Sequence, residues 1–145
     1  MAGKTGSICL VTIVDRCSRF LLAGKVAKKT SALVANKMIA LLAALPMGKC
    51  RTITPDRGKE LAAPSSVTEV RNELQFYFPD SHAPRQRGTN ENTNGLLHEY
   101  LPKAFDMALS PNSDMTDFIL KFHCRHSKCL AWETPFEVFF IIRCT

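Results

Sequence analysis

A chain of 145 residues, 46% hydrophobic and 22% charged, has the size and composition of one soluble globular domain. Apolar residues are spread along the whole length, which excludes a disordered chain, and the longest apolar stretch, Ser31 to Leu45, contains Asn36 and Lys37 and falls short of the roughly 18 residues that span a bilayer. The 19 Lys and Arg against 13 Asp and Glu leave +6, a balance that favours a polyanionic partner, most often nucleic acid.

Ile8 to Val14 is a β-branched apolar run and reads as a buried strand. Asp15 to Ser18 reads as a turn, and Arg19 to Val26 as a second strand, antiparallel to the first because the link is so short. Thr30 or Ser31 can cap a helix to about Leu45, with Leu33, Val34, Met38, Leu41, Leu42 and Leu45 at the helical period and Pro46 and Gly48 as its stop. Arg51 to Thr54 is a short strand followed by a turn, Pro55 to Gly58. Ser65 or Ser66 opens a helix to about Leu74, Gln75 to Phe78 is a further strand, and Pro79 to Gly88 is a loop. Helices are expected from about Asn90 to Tyr100, Asp114 to His123 and Thr134 to Ile142. This mixed order indicates one α/β domain over residues 1–145, with helices packed on a sheet. The first residues lack the basic start and apolar run of a signal peptide. The six cysteines, Cys9 buried in its strand among them, are therefore expected to be reduced, in a cytoplasmic setting.

Two acids stand where chemistry is done. Asp56 follows the strand that holds Ile53, at the strand end that faces the crevice in α/β sheets. Glu91 lies in the first turn of the helix after the Pro79–Gly88 loop, where the helix dipole alone already favours a carboxylate. Together they suit a divalent metal: Mg²⁺ takes a few hard carboxylate oxygens and keeps waters, and paired metals serve phosphoryl transfer.

The words around these acids closely resemble transposases of the insertion-sequence-thirty family. They are Val14-Asp15-Arg16-Cys17-Ser18-Arg19-Phe20, then Thr52-Ile53-Thr54-Pro55-Asp56-Arg57-Gly58-Lys59-Glu60-Leu61-Ala62, and the unbroken Gln86-Arg87-Gly88-Thr89-Asn90-Glu91-Asn92-Thr93-Asn94-Gly95-Leu96-Leu97. That last run is highly specific. Leu130 to Phe139 resembles the family's closing helix, so the likeness runs from about Ser7 to Phe140. The resemblance implies an α/β, ribonuclease-H-like fold, the integrase catalytic core, with a mixed sheet flanked by helices. It makes Asp56 the second and Glu91 the third acid of a DDE triad, with residues 57 to 90, 34 in all, between them. It also implies Mg²⁺ or Mn²⁺ as cofactor, and DNA, both transposon ends and target, as partner. A homo-oligomer acting on paired ends, no membrane contact, and a cytoplasmic place on nucleoid DNA are implied as well.

The family's first catalytic aspartate lies in a Trp-Glu-Gly-Asp stretch on the strand before Ile8–Val14, and nothing here matches it. The helix-turn-helix region that precedes the family's core has no counterpart either. The expectation is an incomplete core lacking the first strand, with an exposed hydrophobic edge, probing as an inactive transposase fragment. The alternative is a non-catalytic, sequence-nonspecific DNA-binding remnant. Asp15 is a candidate replacement acid, although a turn aspartate that caps its own backbone accounts for it. Ala83-Pro84-Arg85 stands where the family has Ser-Pro-Trp, and Pro55 where it has a large apolar residue.

Arg85, Arg87, Lys59 and Lys103 flank the presumed site and can contact phosphates, or can be ordinary surface charge. Asn90, Asn92 and Asn94 can orient metal-bound water or hydrogen-bond the loop, with helix capping open for Asn90. Gly88 is read as allowing the tight turn into the helix. The His123–Cys129 segment offers half of a zinc site, against solvent-facing drift in a loop. Trp132, among apolar neighbours, is read as core packing rather than a stacking platform. The cysteine and histidine spacings match no hydrolase nucleophile motif.

Overall fold

The computed structural model describes residues 8–28, 30–55, 74–77, 88–100 and 112–141, except for the side chains of 89, 90, 98, 100 and 112. Strand β1 (Cys9–Val14) and strand β2 (Leu21–Val26) form an antiparallel hairpin in register Cys9↔Val26 to Val14↔Leu21. Helix α1 (Ser31–Ala43) follows, then β3 (Thr52–Ile53) and β4 (Gln75–Phe76), which pair in parallel. Helix α2 (Gly88–Tyr100), helix α3 (Asn112–His123), a 3₁₀ turn at Lys128–Leu130 and helix α4 (Pro135–Phe140) complete the described elements. The mixed α/β order expected from sequence is present, but the described strands form two separate two-stranded sheets, one antiparallel and one parallel.

The alternation of β1 and β2 sorts their side chains to two helical layers. Leu10, Val14, Leu21 and Ala23 face Leu96 and Leu97 of α2 and Met115, Phe118, Ile119 and Phe122 of α3. Val11 and Ile13 face the other way, into Val34, Ala35, Met38 and Leu42 of α1. The same face of α1 reaches Ile53, Leu74 and Phe76, so this helix bridges the two sheets. Val11 to Val14 are only half-buried although helices lie on both faces. Among the described residues the second edge of β1 has no strand partner, and an open edge leaves such residues partly wet.

Local sequence accounts for the element ends. Asp15 Oδ2 accepts from the Ser18 amide (2.8 Å) and hydroxyl (2.6 Å), and Ser18 Oγ in turn accepts from the Phe20 amide at 3.1 Å. These bonds hold Arg19 at φ 63° and close the hairpin. Thr30 occupies the N-cap of α1 without a side-chain cap bond, and Gly48 takes φ 78° beyond the helix. Leu33, expected in the core, is exposed. Gly24 of β2 lies under Lys37 of α1, where a Cβ would collide with the lysine stem. Thr134 and Glu137 form a reciprocal capping box with Pro135 at the first helical position. Lys49 donates to the Phe139 carbonyl and sits 5.4 Å from its ring centroid, tying the loop after α1 to α4.

Cys9 is a buried free thiol, as expected, whereas Cys17 is disulfide-bonded. The expectation that the cysteines are reduced fails at Cys17, which stands exposed in the hairpin turn. No described helix is long and apolar enough to cross a membrane.

Candidate active site

The Asn-rich helix α2 has weak intrinsic helix propensity and depends on its buried face. Thr93 and Leu97, one turn apart, are almost fully buried. Glu91, Asn92, Gly95 and Glu99 are exposed, with Asn94 half-buried at the margin between the two faces. Glu91 lies in the first turn, where the helix dipole stabilises its charge, and its carboxylate has no hydrogen bond or ion pair among the described residues. Asn94 is three residues on and therefore a neighbour on the helix surface. Its side-chain oxygen is buried and has no hydrogen-bond partner. A buried acceptor left open costs about 1–3 kcal/mol, so the Asn94 oxygen, about one helical turn on from Glu91, is a place for a donor to arrive.

Asp15 is not such a group. Its Oδ2 is taken by Ser18, which gives it the turn role that a short polar side chain plays in hairpins. No three His, Cys, Asp or Glu side chains come together as a metal cluster among the described residues.

No protein-family model matches the chain. Curated proteins do match it. It is 34% identical over 126 residues to the transposase for insertion sequence element IS1086 of Cupriavidus metallidurans, covering 87% of this chain and 37% of that protein. It is 35% identical over 129 residues to the transposase InsI for insertion sequence element IS30A of Escherichia coli, covering 89% of this chain and 33% of that one. With the transposase for insertion sequence element IS4351 of Bacteroides fragilis it shares 33% identity over 137 residues, 94% of this chain and 41% of the relative. Over most of its length the chain is homologous to transposases of the insertion-sequence-thirty family. It spans between 33% and 41% of the length of these relatives.

Solved structures agree on the fold. A chain of the simian T-cell lymphotropic virus intasome, in complex with PP2A regulatory subunit B56 gamma, superposes with a TM-score of 0.77 at 20% identity, over 100% of this chain and 52% of that one. The catalytic core domain of BIV integrase gives 0.72 at 13% identity, over 96% of this chain and 88% of that domain. The transposase segment therefore has the ribonuclease-H-like architecture of integrase catalytic cores, as its motifs implied.

Of the site residues expected from sequence, Glu91, Gly88 and Asn94 are described, together with the backbone of Asn90. Asp56, Lys59, Arg85, Arg87 and Lys103 lie outside the described residues. Gly88 is already helical, and a Cβ there would meet open space, so no tight turn requires a glycine at this position. Asn90 lies inside α2, two residues past its start, and so is not the N-cap.

No zinc cluster forms at this segment among the described residues, and His123, His126 and Cys129 make other contacts. His123 turns inward, with Nε2 2.8 Å from the Leu21 carbonyl oxygen and 3.3 Å from its amide nitrogen. Its ring stacks on Phe20 at 4.0 Å. His126 Nδ1 lies 2.7 Å from the Trp132 carbonyl oxygen, and Cys129 Sγ 3.0 Å from Ser127 Oγ. Burial lowers the His123 pKa below the usual histidine value of 6.5, and the hydrogen bond to Leu21 offsets this only in part. The folded state therefore favours the neutral ring, while the unfolded chain takes up a proton near 6.5. Stability contributed this way is fully present above pH 6.5, falls as pH drops from there toward the lowered folded value, and is level below it. Urea unfolding at a series of pH values should show that decline, and His123→Gln should flatten it. An unchanged slope in His123→Gln would assign the decline to another group.

Trp132 is a correction. Expected in the core, it is 66% exposed. It sits in an irregular loop with φ 70°, next to Ala131 at φ 54°, and this backbone directs the indole outward. Sequence reasoning weighed only the apolar neighbours. The contrary signal was Arg125, His126 and Lys128, four to seven residues before it.

Proposed function

We propose that this chain is a segment of a DDE-type transposase whose parent chemistry is metal-dependent cleavage and strand transfer of DNA. Residues 1–145 taken alone would bind DNA without joining it. The observation that carries the reading is Glu91: an exposed carboxylate, without a hydrogen bond or ion pair among the described residues, in the first turn of a helix packed on an integrase-like core, within a run specific to the family.

Asp56 and Glu91 are the residues that would hold a divalent cation, Mg²⁺ or Mn²⁺. Hard carboxylate oxygens suit either ion, and the open Glu91 carboxylate together with the open Asn94 oxygen fits a site that awaits a ligand and its waters. The cation supplies Lewis acidity and an activated oxygen nucleophile for in-line displacement at phosphorus. Glu91 contributes negative charge at a dipole-stabilised position, and Asn94 contributes an acceptor that orients water or the neighbouring loop. Arg85, Arg87, Lys59 and Lys103 would contact backbone phosphates, fixing the position of DNA without reading its sequence. Residues 1–145 carry matches to two acids of the family's triad, and taken alone these would hold a divalent cation only weakly. Transposon ends and target DNA are the partners in this reading, with paired copies acting on paired ends and the protein cytoplasmic, on nucleoid DNA when bound. The second reading, a sequence-nonspecific DNA-binding remnant, is favoured by the +6 charge.

Supercoiled-plasmid nicking in Mg²⁺ or Mn²⁺ tests this. The soluble, folded chain should leave the plasmid intact while shifting it in gels run at low salt. Nicking by the wild-type chain that disappears in both Asp56→Asn and Glu91→Gln would instead show a working metal site, and overturn the inactive assignment.

A further inference from the structure

The loop between α3 and α4 is built to hold an indole in water. The Trp132 backbone amide donates to the Ser127 carbonyl at 2.9 Å, and the Trp132 carbonyl oxygen lies 2.7 Å from His126 Nδ1. Ser127 N–H donates to Glu133 O at 3.2 Å, closing the loop above the buried Thr134 cap. Two consecutive non-glycine residues, Ala131 and Trp132, are held in the left-handed region that bulky side chains avoid. Strained backbone of this kind persists where its surroundings determine it, and it gathers at functional sites. Here it sets 66% of the chain's largest aromatic side chain in solvent.

The neighbours of Trp132 name the ligand. Arg125, His126 and Lys128 of the same loop are exposed, and Lys121 is exposed on the last turn of α3. Glu133, the one acid between 124 and 134, is half-buried. An exposed indole in a loop that also carries exposed cations matches an unpaired nucleobase and the phosphates on either side of it. Duplex DNA hides its base faces, so the matching form is single-stranded or frayed. Leu120, Phe136, Phe140 and Ile141 are also exposed nearby in sequence and could meet a second copy. An isologous contact, however, would set this basic loop against its own image between two chains of +6 each.

We propose that Trp132 and the cations of the 124–134 loop form a binding site for unpaired DNA, the indole stacking on a base while Arg125 and Lys128 contact phosphates. The site rests on DNA as the partner proposed above, but not on the Asp56–Glu91 chemistry.

Trp132 is the sole tryptophan, so its fluorescence reports on this site alone. Titration of the purified chain with a short oligothymidylate should quench it, with affinity falling about tenfold or more over a fourfold rise in salt. Trp132→Ala, an exposed position whose fold can be verified by circular dichroism, should weaken binding of a labelled oligothymidylate by about five- to a hundredfold. Duplex plasmid binding should change little. Plasmid binding without quenching, and with Trp132→Ala equal to wild type, would overturn the site while leaving DNA as a partner. A fluorescence blue shift with rising protein concentration and no DNA effect would overturn it in favour of a second copy on this face. Absence of any DNA binding would overturn the partner and the site together.

Discussion

Leu97→Ala is expected to destabilise the chain by about 2–5 kcal/mol, a large share of the roughly 5–15 kcal/mol that holds a typical domain folded. Leu97 is fully buried and packs with Leu10 and Leu21 of the hairpin and Met115, Phe118 and Phe122 of α3. Truncation removes apolar contact and leaves a cavity where three elements meet, and neighbours on regular elements collapse into such a space only in part. The loss should fall first on α2. That helix is rich in asparagine, and besides Leu97 the near-fully buried side chain recorded on it is Thr93. Urea unfolding should show a lower midpoint with an unchanged slope, and amide exchange should quicken in residues 91–97 before the hairpin. Glu91 would lose its fixed position with the helix that carries it. A cost below about 1 kcal/mol, or exchange that quickens evenly across the chain, would show that α2 is anchored elsewhere.

Which parts of this arrangement can be read in the sequence follows from how local their causes are. The β1–β2 hairpin is legible because a β-branched run, a polar turn and a second apolar run lie in immediate succession, and Asp15 and Ser18 satisfy that turn within four residues. Helices α1 and α3 are legible from period and α4 from its Thr-Pro start. Glu91 is legible as a candidate because the family run and the helix dipole single out the same residue. The division of the described strands into two sheets is not local, since it depends on which edges find a partner. Nor is the role of His123. As sequence it belongs to a run of potential zinc ligands, and only the approach of β2 turns its ring toward Leu21 and Phe20. Trp132 fails for a related reason: hydrophobicity predicts burial where an element has an inner face, and a strained loop has none. Asp56 and the flanking Lys and Arg candidates lie outside the described residues, and the nicking and binding experiments address them.

Phe20→Ala should also be severe, at about 3–5 kcal/mol, and should act at a second place in the fold. Phe20 stacks between His123 at 4.0 Å and Phe139 at 4.4 Å, with the edge contact of Phe140 at 5.3 Å. Aromatic pairs of this geometry add about 0.5–1.5 kcal/mol beyond their buried area. Helix α4 has six residues, far fewer than an isolated helix needs, so its capping box, the Lys49 latch and this stack hold it in place. Without Phe20 the aromatic resonances of Phe139 and Phe140 should collapse toward unstructured positions. His123 reports the same event through its charge. Desolvation is the larger cause of its lowered pKa, and the vacated ring volume would admit water beside the imidazole. Its folded pKa should then rise toward 6.5, and the loss of stability on acidification below that value should shrink with it. NMR titration of His123 in Phe20→Ala reads the shift directly. A His123 pKa that stays as low as in the wild type would show that the shielding comes from Phe122 and the rest of α3 rather than from Phe20.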